Sequence, residues 1–246
     1  MRQTQIIMGM PVTVEIADVE APQASFDAVF NNFHEIDARF SPFRPESEVS
    51  RLNNGTPASE LSTELRHVLA LCDQTRRQTS GYFDVRRRGR IDPSGLVKGW
   101  AIRGAAGLLR RLGHRDFVVD AGGDIQPNGT APGGRPWRVG IRHPRQHEQI
   151  VKALEVEREG VATSGTAARG QHIYDPHDLS NPPVGVVSLT VIGPDIYEAD
   201  RFATAAFAMG RAGVEFIEQL PGFEAYQIDE AGIATYTTGF NRYVAA

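Results

Sequence analysis

With 246 residues, 41% hydrophobic and 23% charged, the chain is long enough to bury a substantial core and has the balance of an ordinary globular protein. A formal net charge of -4 and a pI near 6.0 exclude the basic footprint of a nucleic-acid binder. The single cysteine, Cys72, excludes an intrachain disulfide or a cysteine-built metal centre, and no run reaches the roughly 20 apolar residues of a membrane span. The opening MRQTQIIMGMPVTVEI lacks the apolar core of a signal peptide, so a cytoplasmic location is expected.

Residues 4 to 17 alternate as one strand, with Val12, Val14 and Ile16 on one face and Met8, Gly9 and Met10 interrupting its start. Phe26, Val29, Phe30, Phe33 and Ile36 recur at helical spacing and predict an amphipathic helix over 25–36. Phe40 to Pro45 form a Pro-bounded loop, followed by a short helix capped by Ser47. Phe43 in that loop is either a stacking platform for a planar ligand or, more commonly for a loop aromatic, a plug at the core edge. A helix is predicted from Ser62 to Thr79, ending at Ser80 and Gly81, with Cys72 buried in its apolar stripe. Tyr82 to Val85 read as a short strand. Arg86, Arg87, Arg88 and Arg90 form the only basic run, read as a solvated face in preference to a pyrophosphate contact.

Residues 91 to 129 hold the densest group of polar residues without an easy packing explanation. Asp92 to Gly95 form a turn, Lys98 and Gly99 lead into an apolar-periodic helix reaching Leu112, and Gly113 stops it. A strand over 116–119 runs into the tight turn Asp120-Ala121-Gly122-Gly123-Asp124. Two glycine turns with carboxylates, joined by one helix, suit an anionic ligand carrying a metal, since glycine admits close approach of backbone N–H groups. Taken alone, a Gly-Gly-Asp after a strand is more often a simple turn. Neither G-x-x-x-x-G-K-[ST] nor a strand-borne G-x-G-x-x-G occurs, which rejects a P-loop or Rossmann reading.

Strands are predicted at 137–141, 150–156 and 186–192. His143 and His147 are read as surface residues, because Pro144 prevents a shared helical metal face. Ser164 and His172 invite a nucleophile-and-base reading, but G-x-S-x-G is absent, and hydroxyls hugging a ligand are the favoured alternative. A small-residue helix from Glu198 to Gly210 places Asp200 and Thr204 on one face; a carboxylate and a hydroxyl there suit Mg²⁺, against an ordinary N-terminal aspartate. A helix near 213–220 and β-rich runs at 225–228 and 233–236 complete the chain. No repeat and no Pro/Gly/Ser-rich boundary divides it, so 1–246 is expected to be one domain.

These pieces, taken in order, resemble one family. Met8-Gly9, Ser41-x-Phe43 with Ser47-Glu48 and Asn53, Gly81-Tyr82-Phe83-Asp84, Asp92-x-Ser94-Gly95-x-x-Lys98-Gly99, Gly122-Gly123-Asp124, Thr163-Ser164-Gly165, His172-x-x-Asp175-Pro176 and Asp200-x-x-x-Thr204 resemble the FAD:protein FMN transferases, the ApbE family, over residues 8 to about 210. The resemblance implies an α+β fold, with mixed or antiparallel sheets packed on helices in two closely associated subdomains. It also implies Mg²⁺-dependent transfer of FMN from FAD to a Ser or Thr hydroxyl of an acceptor flavoprotein, releasing AMP. Position by position it implies flavin-nucleotide contacts at Met8, Phe43, Tyr82, Phe83, Asp84, Asp92, Lys98 and Tyr174. Magnesium ligands are implied at Asp200, Thr204 and the Gly95 carbonyl, with His172 as general base or acceptor-orienting group and Asp200 as the second catalytic residue. Phe43 stands where a tyrosine is frequent, and the link from Asp84 to Asp92 is unusually short and basic. A Mg²⁺-dependent FAD pyrophosphatase would use the same residues with water as acceptor, and a non-catalytic FAD-binding protein is the alternative from another class.

Overall fold

Met8 and Gly9 take positive φ values of 55° and 72°, so the strand predicted over 4–17 folds back on itself. A computed structural model, which describes residues 1–18, 21–146, 148–166, 173–179 and 182–245, shows two antiparallel strands there, β1 (Arg2–Ile7) and β2 (Met10–Ile16). Helix α1 (Gln23–Phe40) extends the predicted helix at both ends and buries Phe26, Val29, Phe30, Phe33, Ile36 and Phe40. Ser47 caps α2 (Glu48–Asn53) by accepting from the Ser50 N–H at 3.0 Å, and Ser62 caps α3 (Thr63–Gln78) by accepting from Leu65 N–H at 3.1 Å.

Tyr82 to Val85 form no strand. Ser80 and Gly81 have positive φ (51° and 89°), and the Phe83 N–H donates to Thr79 Oγ1 at 3.1 Å rather than to a ladder. Pairing begins one residue later: β3 (Arg86–Arg87) and β4 (Arg90–Ile91) form a hairpin across Arg88 and Gly89, both at positive φ. Helix α4 (Ser94–Arg111) also starts earlier than the predicted turn allowed. Asp92 Oδ1 accepts from the Ser94 N–H at 3.0 Å, and Pro93 occupies the cap position, so Ser94 and Gly95 are already helical.

The strands β5 (Phe117–Ala121) and β6 (Asp124–Asn128) turn across Gly122 and Gly123, whose φ values of 65° and 94° only glycine adopts freely. Then follow β7 (Trp137–Arg142), β8 (Ile150–Val156), β9 (Gly160–Gly165), β10 (Ser188–Gly193), α5 (Ile196–Ala208), α6 (Gly213–Glu218), β11 (Glu224–Ile228) and β12 (Ala234–Tyr236). The sequence reading had no strand at β9, because GVATSG lacks the alternation of a half-buried strand.

Among the described residues, eight strands make one antiparallel sheet in the order β1-β2-β5-β6-β9-β10-β11-β12, and β7 and β8 form a separate ribbon. The sheet is apolar on both faces. Val12, Val14, Phe117, Val119, Leu189 and Val191 pack toward the helices, and Val161, Ile192, Tyr226 and Ile228 pack with Trp137, Val139 and Leu154 of the ribbon. Because Val12 pairs with Ala121, the Met8-Gly9 turn and the Gly122-Gly123 turn lie at the same end of the sheet, where the Gly122 N–H donates to Pro11 O at 2.9 Å. Gly165 pairs with Ser188 there too, which brings the end of β9 to the same edge. No helix among the described residues is long and apolar enough to cross a membrane.

Candidate active site

The crossing of α4 on α5 makes the centre of the site. Gly95 and Gly99 are one helical turn apart on α4, and Asp200 and Thr204 are one turn apart on α5. A Cβ at Gly99 would lie 2.8 Å from Asp200 Cβ and 2.9 Å from the Ile196 carbonyl, and one at Gly95 would lie 3.3 Å from Thr204 Cγ2. The two glycines therefore let the helices approach closely enough for the Gly99 N–H to donate to Asp200 Oδ2 at 2.8 Å. Helix spacing places Asp200 and Thr204 side by side; the missing side chains on α4 bring them against Gly95 and Gly99.

Asp200 is 2% exposed and Asp124, at the start of β6, 1%. Both form ion pairs with Lys98: its Nζ is 3.3 Å from Asp200 Oδ1 and in close contact with Asp124 Oδ2. Asp124 Oδ1 also accepts from the Thr163 N–H at 3.0 Å, which ties β9 to the cluster. Two buried carboxylates thus share one ammonium, and with both ionised the cluster carries one negative charge in excess. Burial pushes the Asp200 pKa up to about 7; Lys98 acts against this shift and Asp124 reinforces it.

That charge excess, with hard oxygen donors, fits a divalent cation such as Mg²⁺. Among the described residues no group of three or more His, Cys, Asp and Glu side chains gathers to hold a metal. A cation here would therefore rest on the Asp200 carboxylate, the Thr204 hydroxyl, a backbone carbonyl and oxygens from water or substrate.

The other expected site residues are distributed around this centre. Phe83 is buried, its ring edge 3.5 Å from where a Gly95 Cβ would stand. Tyr82 is half-buried and meets His177 edge-on at 4.6 Å between centroids. The Asp84 carboxylate accepts from Arg76 Nε and the Arg86 N–H, both at 2.9 Å, while its carbonyl accepts from Tyr174 Oη at 2.8 Å. Asp84 thus holds the loop together. The Arg87 guanidinium lies 4.3 Å over the Tyr174 ring, so part of the basic run packs on an aromatic and is not simply solvated. Burial, reinforced by Asp84, pushes the Tyr174 phenol up to about 12.

Asp92 stands just before the α4 cap residue Pro93, and its carboxylate accepts from the Ser94 N–H at 3.0 Å. Met8 sits in the β1–β2 turn, partly buried against the core. Phe43 is 87% exposed, so it does not plug the core edge and leaves a free aromatic face. His172, expected as the base, lies outside the described residues, as does His147.

Sequence reasoning placed Asp124 in a candidate anion-binding turn and Gly99 and Thr163 within the resembling motifs, but assigned none of them to the cluster that the fold builds with Lys98 and Asp200. The order Lys98-Gly99 before a helix was visible, but nothing local tied it to a strand start more than twenty residues on.

The model of the ApbE family matches residues 8–88 and 85–227. The FAD:protein FMN transferase of Salmonella typhimurium is 28% identical over 151 residues, 58% of this chain and 43% of that protein. That of Haemophilus influenzae is 23% identical over 241 residues, covering 72% and 70%. The chain thus spans less than half the length of the first of these relatives. Among solved structures, the flavin transferase ApbE of Vibrio cholerae superposes with a TM-score of 0.86 at 21% identity, covering 99% of this chain and 98% of that one. The ApbE protein of Thermotoga maritima superposes at 0.88 and 22% identity, covering 100% and 99%. Both likenesses bear on the fold.

Proposed function

The chain belongs to the ApbE family, and on that premise we propose that it is an FAD:protein FMN transferase that uses Mg²⁺ and releases AMP. The observation that carries this reading is the buried, negatively charged cluster at the α4–α5 crossing, where Asp200 and Thr204 meet Gly95 beside Lys98 and Asp124.

In the reaction, a Ser or Thr hydroxyl of the acceptor attacks the FMN-side phosphorus of the FAD pyrophosphate. The new O–P bond forms as the bond to AMP breaks, and the hydroxyl proton must leave. A Mg²⁺ ion bound here would neutralise pyrophosphate charge, with Asp200, Thr204 and the Gly95 carbonyl as its proposed protein ligands. Lys98 favours the ionised form of the Asp200 carboxylate against its burial and is held in turn by Asp124, so the cluster presents its oxygens in a fixed arrangement. Tyr174, Asp84 and Arg87 stiffen the loop beside Phe83 and Tyr82, and exposed Phe43 offers a face for a planar ring. His172 is proposed as the group that accepts the hydroxyl proton, since imidazole exchanges protons near neutral pH.

The test is incubation with FAD and Mg²⁺, with and without an acceptor protein carrying a Ser/Thr flavinylation motif, reading nucleotides and acceptor mass together. An acceptor that gains one FMN with equimolar AMP supports transfer. AMP and free FMN whatever acceptor is present would replace it with the pyrophosphatase reading, and intact FAD under all conditions would reduce the protein to a flavin binder.

A further inference from the structure

At the opposite end of the sheet from Lys98 and Asp200, a cavity of about 660 Å³ opens between the end of α4, the β8–β9 turn and the start of α5. Arg110 reaches it from twelve residues further along α4 than Lys98, a rise of about 18 Å, so it is separate from the proposed transfer centre. Three arginines, Arg110, Arg115 and Arg158, line it, against one acidic residue, Asp195. That carboxylate already accepts from the Glu198 N–H at 3.0 Å and lies 3.7 Å from Arg103.

The three arginines stand on braced backbone. Buried Gln126 donates to the Arg158 carbonyl at 2.7 Å and accepts from the Ile196 N–H at 2.8 Å, locking the β8–β9 turn to the start of α5. Asn128 accepts from Arg110 Nε at 2.8 Å and donates to the Arg115 carbonyl at 2.6 Å. His114, next in the chain to Arg115, is buried between Asp18 at 3.1 Å and Ser25 at 2.8 Å. The guanidiniums are less occupied than the backbone. Among the described residues, those of Arg115 and Arg158 form no hydrogen bond or ion pair, and Arg110 has only Asn128 and the distant Phe117 face at 6.0 Å. Burial, then the charge of Arg158, holds Arg110 below its usual pKa, while Asp195 pulls the other way.

Forked donors on a helix end and two braced turns, repelling one another around a concave space of small-molecule size, are the chemistry of phosphate recognition. We propose that this cavity is a second ligand site, which takes a small phosphorylated molecule through Arg110, Arg115 and Arg158. The inference does not depend on flavin transfer.

The experiment is calorimetric titration of the protein with inorganic pyrophosphate in EDTA and without FAD, at low and moderate salt. Wild type is compared with Arg115→Ala/Arg158→Ala, Arg115→Lys/Arg158→Lys and Asp200→Ala. Saturable binding with one molecule per chain is expected, weakened about tenfold or more by the alanine pair, weakened less by the lysine pair, and unchanged by Asp200→Ala. The arginines are exposed on turns, so the unfolding temperature of both pairs should match wild type; should the alanine pair misfold, the lysine pair carries the comparison. No saturable binding, equal binding by wild type and both pairs, or loss of binding in Asp200→Ala alone would overturn the proposal.

Discussion

Gly99→Ala and Gly104→Ala are the same change on the same helix, and the structure gives them opposite signs. Replacing glycine by alanine in a helix interior contributes about 1 kcal/mol of helix propensity. At Gly104 the new methyl finds only Asn32 Oδ1, 3.9 Å away in ordinary contact, so that gain should be retained. At Gly99 it meets Asp200 Cβ at 2.8 Å, Ile196 O at 2.9 Å and Asp200 Oδ2 at 3.0 Å. A helix carbonyl cannot rotate aside, so α4 and α5 must separate, and overpacking of this kind costs about 1–3 kcal/mol. The net change at Gly99 is then about 0–2 kcal/mol destabilising, and the two variants should differ by about 2 kcal/mol. In a chain of this length that is about 4–8 °C in Tm, measurable by calorimetry or by urea midpoints at constant m-value. Gly99→Ala should also weaken Mg²⁺-dependent turnover, because Asp200 and the Gly99 N–H move apart, whereas Gly104→Ala should leave it intact. Stabilisation by both substitutions to the same degree would refute the close α4–α5 approach.

Four further outcomes follow from named contacts. The Asp200 pKa is raised from 3.8 to about 7, so the folded protein keeps a proton that the unfolded chain has released, and stability should fall as pH rises between those values. In EDTA, the Tm of wild type should therefore decline across that window relative to Asp200→Asn, and a parallel pair of curves would contradict the assignment. Phe43→Ala should raise the KM for FAD by about fivefold, roughly 1 kcal/mol of lost stacking, without moving Tm, since the side chain is 87% exposed; a lowered Tm would show that it packs. Ser47→Ala removes the α2 cap and a 2.6 Å bond from Ser47 Oγ to Ser41 O, for an expected loss of about 1–2 kcal/mol in urea unfolding. Cys72 is 1% exposed and burial pushes its thiol up to about 12, so disulfide reagents should label it at the rate of unfolding and not before.

The sequence by itself determined those elements whose causes lie within one or two turns of chain. Ser62 starts α3 because a capping hydroxyl acts on the amide three residues away, and Gly113 ends α4 through its own positive φ of 93°. The pair Asp200 and Thr204 was legible for the same reason, since helix pitch alone puts them on one face. Where two local patterns competed, the chain was misread: Met8-Gly9 looked like a flaw in one strand because the alternation of Val12, Val14 and Ile16 after it outweighed the weak pattern before it, and the order of Tyr82 to Val85 hides that Thr79 takes the Phe83 amide.

The tertiary structure alone decided what those residues face. Gly99 and Asp200 are 101 residues apart, and Asp124 and Thr163 are 39 apart. No periodicity links such positions, because what joins them is the absence of a side chain at a helix crossing and the order of strands in a sheet. The same holds for Arg110, Arg115 and Arg158, which share no local pattern and are brought around one cavity only because Gln126 and Asn128 tie together the end of α4 and two turns. Local structure follows from short-range sterics and hydrogen bonds written into neighbouring residues. The charge balance of a buried site follows from packing, which sums contributions from the whole chain at one point in space.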